Sequence, residues 1–473
     1  MTNLKYTPEE PIAAIATALA PGALGIVRCS GKNCIELFSK IFSRPKALLE
    51  ANGNTIVYGW VQKVSSEQLA ISSCERIDEV LVSVFRAPKS FTGEDMIEIS
   101  CHGGVHVVQS VYNLLLNSGF RAAERGEFTF RAYINGKTDL TKAEAVREII
   151  DSKTDAGQSR AAGRLAGNLY ATIDEVKKHI IDTLAAIEVE IEYPEDEETI
   201  ADSFDSSELK KAEKVLEELA ASWKSEKIYQ DGARVVLCGR TNAGKSSLFN
   251  ALLKEDRAIV SDIEGTTRDF IESWIDFSGI PARLFDTAGL RQTDDVIEAV
   301  GVERTHDLSE EADLILYLVD SNAGLTEDDK AFITEHVRFG MDESKKSIPL
   351  ILVWNKCDLK GESDLPSLSI PQVHIAAKKG IGLGELSEAV RKALSAGESS
   401  ERNITGLGSQ RQKDSVERAL ESVRHALFLS EDYALDAVVQ DLEDSLDALG
   451  EVTGDVTPDD VLGSIFEHFC VGK

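Results

Sequence analysis

Up to about residue 120 the apolar positions fall in short strand-like runs, Ala23–Arg28, Thr55–Val64, Glu79–Phe85 and Met96–Ser100, and in one helical period over Val105–Leu116. That mixture predicts an α+β domain. From Thr138 to about Glu192 the spacing becomes helical, rich in Ala, Leu, Ile, Glu and Lys, and it stops at Tyr193-Pro194 and the acidic run Glu195–Glu198, which reads as a loop. Within it the apolar stripe Ile180–Ile191 reads as core rather than as a membrane or partner face. Another helix is expected from Ser207 to about Glu226.

From Ala233 the texture alternates. Strands are predicted at Arg234–Cys238, Ala282–Phe285, Leu314–Val319, Pro349–Trp354 and Val373–Ala376, with helices at Ser246–Leu253 and Leu383–Leu394. Such alternation predicts a parallel α/β sheet. After Gly397 the polar stretch Glu398–Glu401 leads back to helices that run to the end of the chain. Helices on both sides of one complete α/β unit need partners for their apolar stripes, so the expected arrangement inserts the α/β domain into a helical domain. The expected boundaries are residues 1–122 for the N-terminal α+β domain, 123–230 for the first helical part, 231–397 for the α/β domain and 398–473 for the second helical part.

Composition narrows the class. The 473 residues suit about three domains, and 28% charged with 42% apolar residues, 34 Gly and 11 Pro is close to a soluble globular average. Collagen, coiled-coil rod and bulk disorder are excluded. A net charge of −30 opposes nonspecific binding to phosphate backbones, so any nucleic-acid contact must be local or shared with a partner. The stretch from Glu431 to Asp460 holds eleven acidic residues and no Lys or Arg, and reads as a solvated face. Seven dispersed cysteines without a C-x2-C pair suggest neither a disulfide framework nor a cysteine zinc cage, which favours a reducing, cytoplasmic location. The apolar stretch Pro11–Val27 is broken by Pro21, Gly22 and Gly25 and preceded by Glu9 and Glu10, unlike a secretion signal, and no 18-residue apolar run predicts a membrane span.

Chemistry is concentrated in the alternating region. Gly239-Arg240-Thr241-Asn242-Ala243-Gly244-Lys245-Ser246 fits G-x4-G-K-[ST] between a strand and a helix, the context in which glycines let backbone amides approach phosphate. Phosphate contacts are expected from Asn242, Ala243, Gly244, Lys245, Ser246 and Ser247, with Lys245 reaching the β and γ phosphates and Ser246 ligating Mg²⁺. Asp286-Thr287-Ala288-Gly289 follows a second strand, where an Asp can hold Mg²⁺ through water and the Gly289 amide meets the γ-phosphate. Asn355-Lys356-Cys357-Asp358 ends a third. A carboxylate at Asp358 accepts from guanine N1–H and the 2-amino group, donors that adenine lacks, so a guanine nucleotide is expected. Ala376-Ala377-Lys378 stands where such proteins usually carry Ser-Ala-Lys, and the missing hydroxyl weakens this base-contacting loop.

Between the first two motifs, Ser261-Asp262-Ile263-Glu264 runs into Gly265-Thr266-Thr267-Arg268-Asp269, where a threonine hydroxyl can complete Mg²⁺ coordination only while the γ-phosphate is present. Leu290 occupies the position where small GTPases carry the glutamine that orients water, and an apolar side chain cannot do that. Glu298, in a loop with Asp294 and Asp295, is a candidate for the task, against the alternative of a solvated acidic loop. Arg268 and Arg291 do not stand out as an arginine finger, so the developing charge needs a cation from another route.

The flanks carry a resemblance. Ser90-Phe91-Thr92-Gly93-Glu94-Asp95 with Cys101-His102-Gly103-Gly104, Gly126-Glu127-Phe128-Thr129-Phe130-Arg131-Ala132 with Asn135-Gly136-Lys137-Thr138-Asp139-Leu140 and Ala143-Glu144-Ala145, and Leu449-Gly450-Glu451 with Phe469-Cys470-Val471-Gly472-Lys473 resemble the bacterial tRNA modification GTPase family MnmE, or TrmE, along essentially the whole chain. The resemblance implies a K⁺-dependent GTPase that works with the FAD protein MnmG, as a heterotetramer, to install an aminomethyl or carboxymethylaminomethyl group on C5 of the wobble uridine of tRNA. It implies a homodimer formed by a folate-binding-like N-terminal domain that holds 5-formyltetrahydrofolate as one-carbon donor, through Arg28, Glu98, Lys137 and Lys473; Glu94 lies close to Glu98 in sequence. It further implies G domains that dimerise with nucleotide, K⁺ in place of an arginine finger bound by Asn242, Ser261, Ile263 and Thr266, Mg²⁺ bound by Ser246 and Thr267, and Glu298 orienting the water, so that Glu298, Asn242 and Lys245 form the catalytic set. Thr241 departs from the proline usual in the family, and Ala376 from the serine.

Cys101, His102 and His106 lie by a Gly-rich turn that does not suggest a metal site. Cys470 has only His468 nearby as a base and is either a reactive thiol or a structural residue near the folate site. Two other functions compete: a ribosome-associated GTP switch that modifies no base, disfavoured by the −30 charge and the folate-like N-terminus, and a folate-dependent methyltransferase with a vestigial G domain, disfavoured by the intact motifs.

Overall fold

Alternation in the N-terminal strands buries one face, and that face finds a helix. In the computed structural model, residues 10–63, 75–192, 206–254, 272–286, 312–339, 348–359, 370–395, 405–430, 435–457 and 459–472 are described. The chain forms two compact units, residues 1–147 with 443–473, and residues 148–442.

In the first unit the order is β1 (Ile12–Ile15), β2 (Leu24–Ser30), α1 (Cys34–Ser39), α2 (Pro45–Leu49), β3 (Thr55–Lys63), β4 (Glu75–Phe85), β5 (Met96–His102), α3 (Val105–Asn117), β6 (Arg121–Ala122) and α4 (Glu127–Ile134). The sheet runs β3-β4-β5-β2-β1-β6, antiparallel except for β1 beside β6. Val80, Val82 and Val84 on β4 and Ile97 and Ile99 on β5 pack with Val108, Val111 and Leu115 of α3. Burying each such side chain contributes about 1.5–3 kcal/mol.

In this unit α1, α2 and β6 lie outside the sequence expectation, and so do β1 and α4. β1 falls in the broken apolar stretch, yet Ala13 and Ala14 are fully buried there, and Ile12 to Ile15 pair with Ser30 to Val27. α4 starts ahead of the helical texture expected from Thr138 because polar residues are buried in it beside Phe128, Phe130 and Ala132: Glu127, Thr129 and Arg131 are all 1% exposed or less. Arg131 pairs with Glu127 at 2.9 Å and Glu94 at 3.0 Å, and Arg121 with Glu127 at 2.6 Å. A buried guanidinium between two carboxylates keeps its charge partnered out of water.

Helix α5 (Leu140–Asp151) follows, then α6 (Asp155–Leu165), α7 (Asn168–Glu192) and α8 (Ser207–Asp231). Ile180 and Ile187 of α7 are fully buried, as the core reading of that stripe expects. Thr154 caps α6, its hydroxyl accepting from the Gly157 amide at 3.2 Å. Arg164 of α6 pairs with Glu148 at 2.5 Å and with fully buried Glu226 of α8 at 2.8 Å, and Arg160 also pairs with Glu226.

The second sheet comprises β7 (Ala233–Gly239), β8 (Glu272–Phe277), β9 (Ile280–Asp286), β10 (Leu314–Asp320), β11 (Leu350–Asn355) and β12 (Gln372–His374), ordered β12-β11-β10-β7-β9-β8. Helices α9 (Lys245–Lys254), α10 (Glu327–Phe339) and α11 (Leu383–Leu394) accompany it. Five strands are parallel as expected, but β8 is antiparallel to β9, so the sheet is mixed. The ribbon turns on Ser278 and Gly279, both at positive φ (53° and 98°), the geometry that matches strand twist in two-residue hairpins. α10, also outside the expectation, opens with a capping box: Thr326 N donates to Asp329 Oδ2 at 2.8 Å and Asp329 N to Thr326 Oγ1 at 3.4 Å.

The chain ends in α12 (Gln410–Ser430), α13 (Leu435–Thr453) and α14 (Asp459–Glu467). Leu462, Phe466 and Phe469 pack with Phe130, Leu140 and Ala143 in the first unit. The fold is multidomain, with an N-terminal α+β domain, helical segments and a P-loop α/β domain. Among the described residues no helix is long and apolar enough to cross a membrane.

Candidate functional site

Strand order in the second sheet reverses between β7 and β10, and ligands in such sheets bind beyond the strands' carboxyl ends at that crevice. Gly239, Asp320 and Asn355 end β7, β10 and β11 there. Gly239 has φ 127°, and a Cβ would lie 2.2 Å from the Leu318 carbonyl oxygen. Gly244 has φ 101°, and a Cβ would lie 2.1 Å from Asn355 Nδ2. Both positions admit only glycine.

Asn355 is 2% exposed and ties three loops. Its Nδ2 donates to the Ala243 carbonyl at 2.9 Å, and its Oδ1 accepts from Lys356 N at 2.8 Å and Ala377 N at 3.1 Å. Lys356 Nζ donates to the Asn242 carbonyl at 3.0 Å and to Asp320 Oδ2 at 2.7 Å. Asn242 and Lys356 are both left-handed, at φ 67° and 65°. Lys245 begins α9, and its ammonium donates to the carbonyls of Gly239 (2.7 Å) and Arg240 (3.0 Å), so it lies inside the loop it belongs to. Ser246 and Ser247 follow in the first helical turn, where unpaired amides and the helix dipole favour an anion.

In the N-K-x-D loop, Asp358 Oδ2 pairs with Lys379 Nζ at 2.9 Å. Ala376 and Ala377 are buried at the start of a single 3₁₀ turn, Ala377–Lys379, and Lys378 is exposed. Asp286 ends β9, with Leu237 of β7 as its register partner. Ser261, Asp262, Ile263, Glu264, Gly265, Thr266, Thr267, Thr287, Ala288, Gly289 and Glu298 lie outside the described residues.

Asp320 was not singled out from sequence. Burial pushes its pKa up, but the hydrogen bonds from Lys356 and the Asn322 amide outweigh that and hold it below the usual carboxylate range. An acidic residue closing a strand next to the N-K-x-D strand is the signal that could have flagged it.

The first unit brings together other expected residues. Arg28 Nε pairs with Glu98 Oε1 at 2.9 Å across β2 and β5, where the two are register partners, and Arg28 also donates to the Gly472 carbonyl at 3.0 Å. Its guanidinium lies 5.2 Å from the Phe91 ring centroid and 5.5 Å from that of Phe128. Glu94 is instead engaged by Arg131 and by Ser30 Oγ at 2.8 Å, which leaves Glu98 as the carboxylate beside Arg28. Lys137 Nζ donates to the Pro88 carbonyl at 3.0 Å, and Asn135 Nδ2 to Thr92 O at 2.7 Å. Gly472, at φ 92°, is held where a Cβ would lie 2.9 Å from Ile15 O, and Lys473 lies outside the described residues.

His102 Nδ1 lies 2.7 Å from Asp78 Oδ1, and that hydrogen bond raises its pKa. Among the described residues no group of three metal-ligating side chains occurs. Cys470 is exposed, and His468 Nδ1 lies 2.7 Å from the Ser464 carbonyl.

A family description "GTP-binding protein TrmE N-terminus" matches residues 11–137, and "MnmE helical domain" matches 140–470, spanning both helical stretches and the α/β domain between them. The chain belongs to the MnmE family. It is 51% identical over 485 residues to the tRNA modification GTPase MnmE of Treponema denticola, covering 99% of each chain. It is 40% identical over 511 residues to that of Treponema pallidum strain Nichols, again covering 99% of each. Among solved structures, the FeoB G domain of Methanococcus jannaschii aligns with 34% of this chain and 97% of its own, at 23% identity and TM-score 0.25.

Proposed function

We propose that this chain is a K⁺-dependent GTPase that, with the FAD protein MnmG, modifies C5 of the wobble uridine of tRNA. The observation that carries the reading is the hydrogen-bond network through Asn355 and Lys356, which joins the phosphate loop (Asn242, Ala243) to the guanine-reading loop (Asp358, Ala377). Such an arrangement suits one ligand with a triphosphate at one end and a purine at the other. MnmE relatives that match along 99% of their length support carrying the tRNA-modifying role to this chain.

In this reading Lys245 leaves the Gly239 and Arg240 carbonyls for the β and γ phosphates. Backbone amides from Asn242 to Ser247 complete the cradle, together with Gly289. Asp358 accepts from the guanine edge, and Ala376, Ala377 and Lys378 line the base without the usual serine hydroxyl. Ser261, Asp262, Ile263, Glu264, Gly265, Thr266 and Thr267 contribute nucleotide contacts, Asp286, Thr287 and Ala288 complete the γ-phosphate side, and Glu298 orients the attacking water.

Hard oxygen donors fit the two cations: the exposed Ser246 hydroxyl, with Thr267, for Mg²⁺, and Asn242, with Ser261, Ile263 and Thr266, for K⁺. When bound, they neutralise charge that other GTPases meet with an arginine finger. G-domain dimerisation would be the activating step. Arg28, Glu98, Lys137 and Lys473 fit a folate, since the cations Arg28, Lys137 and Lys473 suit its glutamate carboxylates and Glu98 its amine-bearing ring. Bound 5-formyltetrahydrofolate supplies the one-carbon unit. The chain then acts as a homodimer in the cytoplasm, joined to MnmG.

The test uses a bacterial strain deleted for its own MnmE and expressing this chain. Mass spectrometry of tRNA nucleosides should show wobble uridines carrying the C5 aminomethyl-type group with the wild-type chain and none with Lys245→Ala. Unmodified uridine with stably expressed wild type refutes the tRNA role.

A further inference from the structure

Asp320 closes β10 and is assigned no part by the GTPase motifs. Its Oδ2 accepts from Lys356 Nζ at 2.7 Å, while Oδ1 accepts from Asn322 N at 2.9 Å and Asn322 Nδ2 at 3.2 Å. The ammonium that it holds also reaches the Asn242 carbonyl at 3.0 Å. Asn242 and Lys356 are both non-glycine residues in the left-handed region, which L side chains adopt at a cost and keep only when their surroundings dictate it. The hydrogen bond from Lys356 Nζ to Asn242 O joins these two loops. A lysine ammonium sits on a flexible four-carbon stem, so it stays in one place only against a fixed partner.

Asp320 is such a partner, because its own loop is rigid. Ser321 N donates to the Asn355 carbonyl at 2.9 Å, and Gly324 N to the Asp320 carbonyl at 3.0 Å. Beyond it, buried Asp329 accepts from Tyr317 Oη at 2.8 Å and from Thr326 Oγ1 at 2.7 Å. The chain of fixed contacts therefore runs from the β10 loop through Asp320 and Lys356 to the P-loop.

We propose that Asp320 is a positioning residue of the nucleotide site: by orienting Lys356 it locks the Asn242 carbonyl, and so holds Asn242 in the backbone conformation from which it serves nucleotide and monovalent cation. The inference rests on reading this site as a K⁺-stimulated guanine-nucleotide site. Asp320 touches no substrate and acts through Lys356.

The full-length chain is compared as wild type, Asp320→Asn, Asp320→Glu, Lys356→Met and the Asp320→Asn/Lys356→Met double variant. GDP affinity is measured by calorimetry, and GTP turnover is followed against KCl at constant ionic strength. Asp320→Asn keeps an oxygen for the Asn322 amide but removes the charge, and should weaken GDP binding about tenfold, the loss expected for a charge-assisted hydrogen bond. The KCl concentration for half-maximal turnover should rise several-fold, with kcat at saturating KCl within about twofold of wild type and Asp320→Glu recovering part of the loss. In the Lys356→Met background, Asp320→Asn should change GDP affinity less than about twofold, because the partner through which it acts is gone. Unchanged GDP affinity in Asp320→Asn overturns the proposal, as does an equal loss with and without Lys356. A wild-type chain indifferent to K⁺ would remove the cation reading, and the GDP affinities and their double-mutant cycle would still decide the role of Asp320.

Discussion

The side-chain amide of Asn355 meets the backbone carbonyl of Ala243 at 2.9 Å, although 112 residues separate them. That bond fastens the N-K-x-D loop to the G-x4-G-K-[ST] loop, and the same side chain accepts from Ala377. Asn355→Ala leaves the Ala243 carbonyl and the Ala377 amide without this partner, each costing about 1–3 kcal/mol. GTP affinity should fall at least tenfold in a fluorescent-nucleotide titration, with the unfolding midpoint of the chain also lowered. Wild-type affinity would remove Asn355 from the site.

Asp358→Asn exchanges an acceptor for a side chain that also donates. Losing a hydrogen bond to a charged group costs about 1.5–3 kcal/mol, so GTP affinity should fall ten- to a hundredfold while xanthosine triphosphate, with an oxygen at C2, gains. Competition between the two nucleotides reads this directly. Unaltered preference for GTP would show that Asp358 does not contact the base.

Glu127 predicts a pH dependence. Burial raises its pKa, but hydrogen bonds from Arg121, the Glu124 amide and Arg131 outweigh burial and lower it below the ordinary glutamate value of 4.5. A carboxylate depressed in the folded state contributes stability that is fully present above its unfolded pKa and is lost as pH falls through the folded value. Glu127→Gln should therefore lower the unfolding midpoint of the first unit at neutral pH, by an amount corresponding to about 3 kcal/mol for breaking a buried charge cluster. The gap from wild type should narrow as pH falls below 4.5. A gap constant with pH would contradict the assignment.

Linear motifs were the legible part of the molecule. Gly239 to Ser246 and Asn355 to Asp358 announce their neighbours because each cluster is contiguous and its spacing is set by one turn. Asp320 and the Arg121–Glu127–Arg131–Glu94 cluster were not legible, since each draws partners from distant elements and reads as ordinary charge in sequence. α4 hid for the same reason: Arg131 and Glu127 occupy the face where a helix pattern calls for apolar residues. β1 hid because Ala13 and Ala14 are small and lie in an apolar stretch that Pro21, Gly22 and Gly25 interrupt. β8 hid because its partner β9 is antiparallel in a region whose rhythm suggested only parallel strands. The pairing of Arg28 with Glu98 rather than Glu94 follows from strand register, which no spacing along the chain reveals.

Glu298→Ala should bind GTP with affinity within about twofold of wild type and hydrolyse it at least a hundredfold more slowly, the scale lost with a water-orienting group. Single-turnover kinetics with excess protein separates the two effects. Near-normal hydrolysis would leave the loop around Asp294, Asp295 and Glu298 as solvated surface.

The measurement that bears most directly on the whole reading is GTP turnover by the purified chain in matched KCl and NaCl at several protein concentrations. Strong stimulation by K⁺, at a specific rate that stays the same across those concentrations because both G domains already belong to one homodimer, is the predicted result and supports cation-dependent pairing of G domains at this P-loop. Equal, slow rates in both salts at every concentration would contradict it.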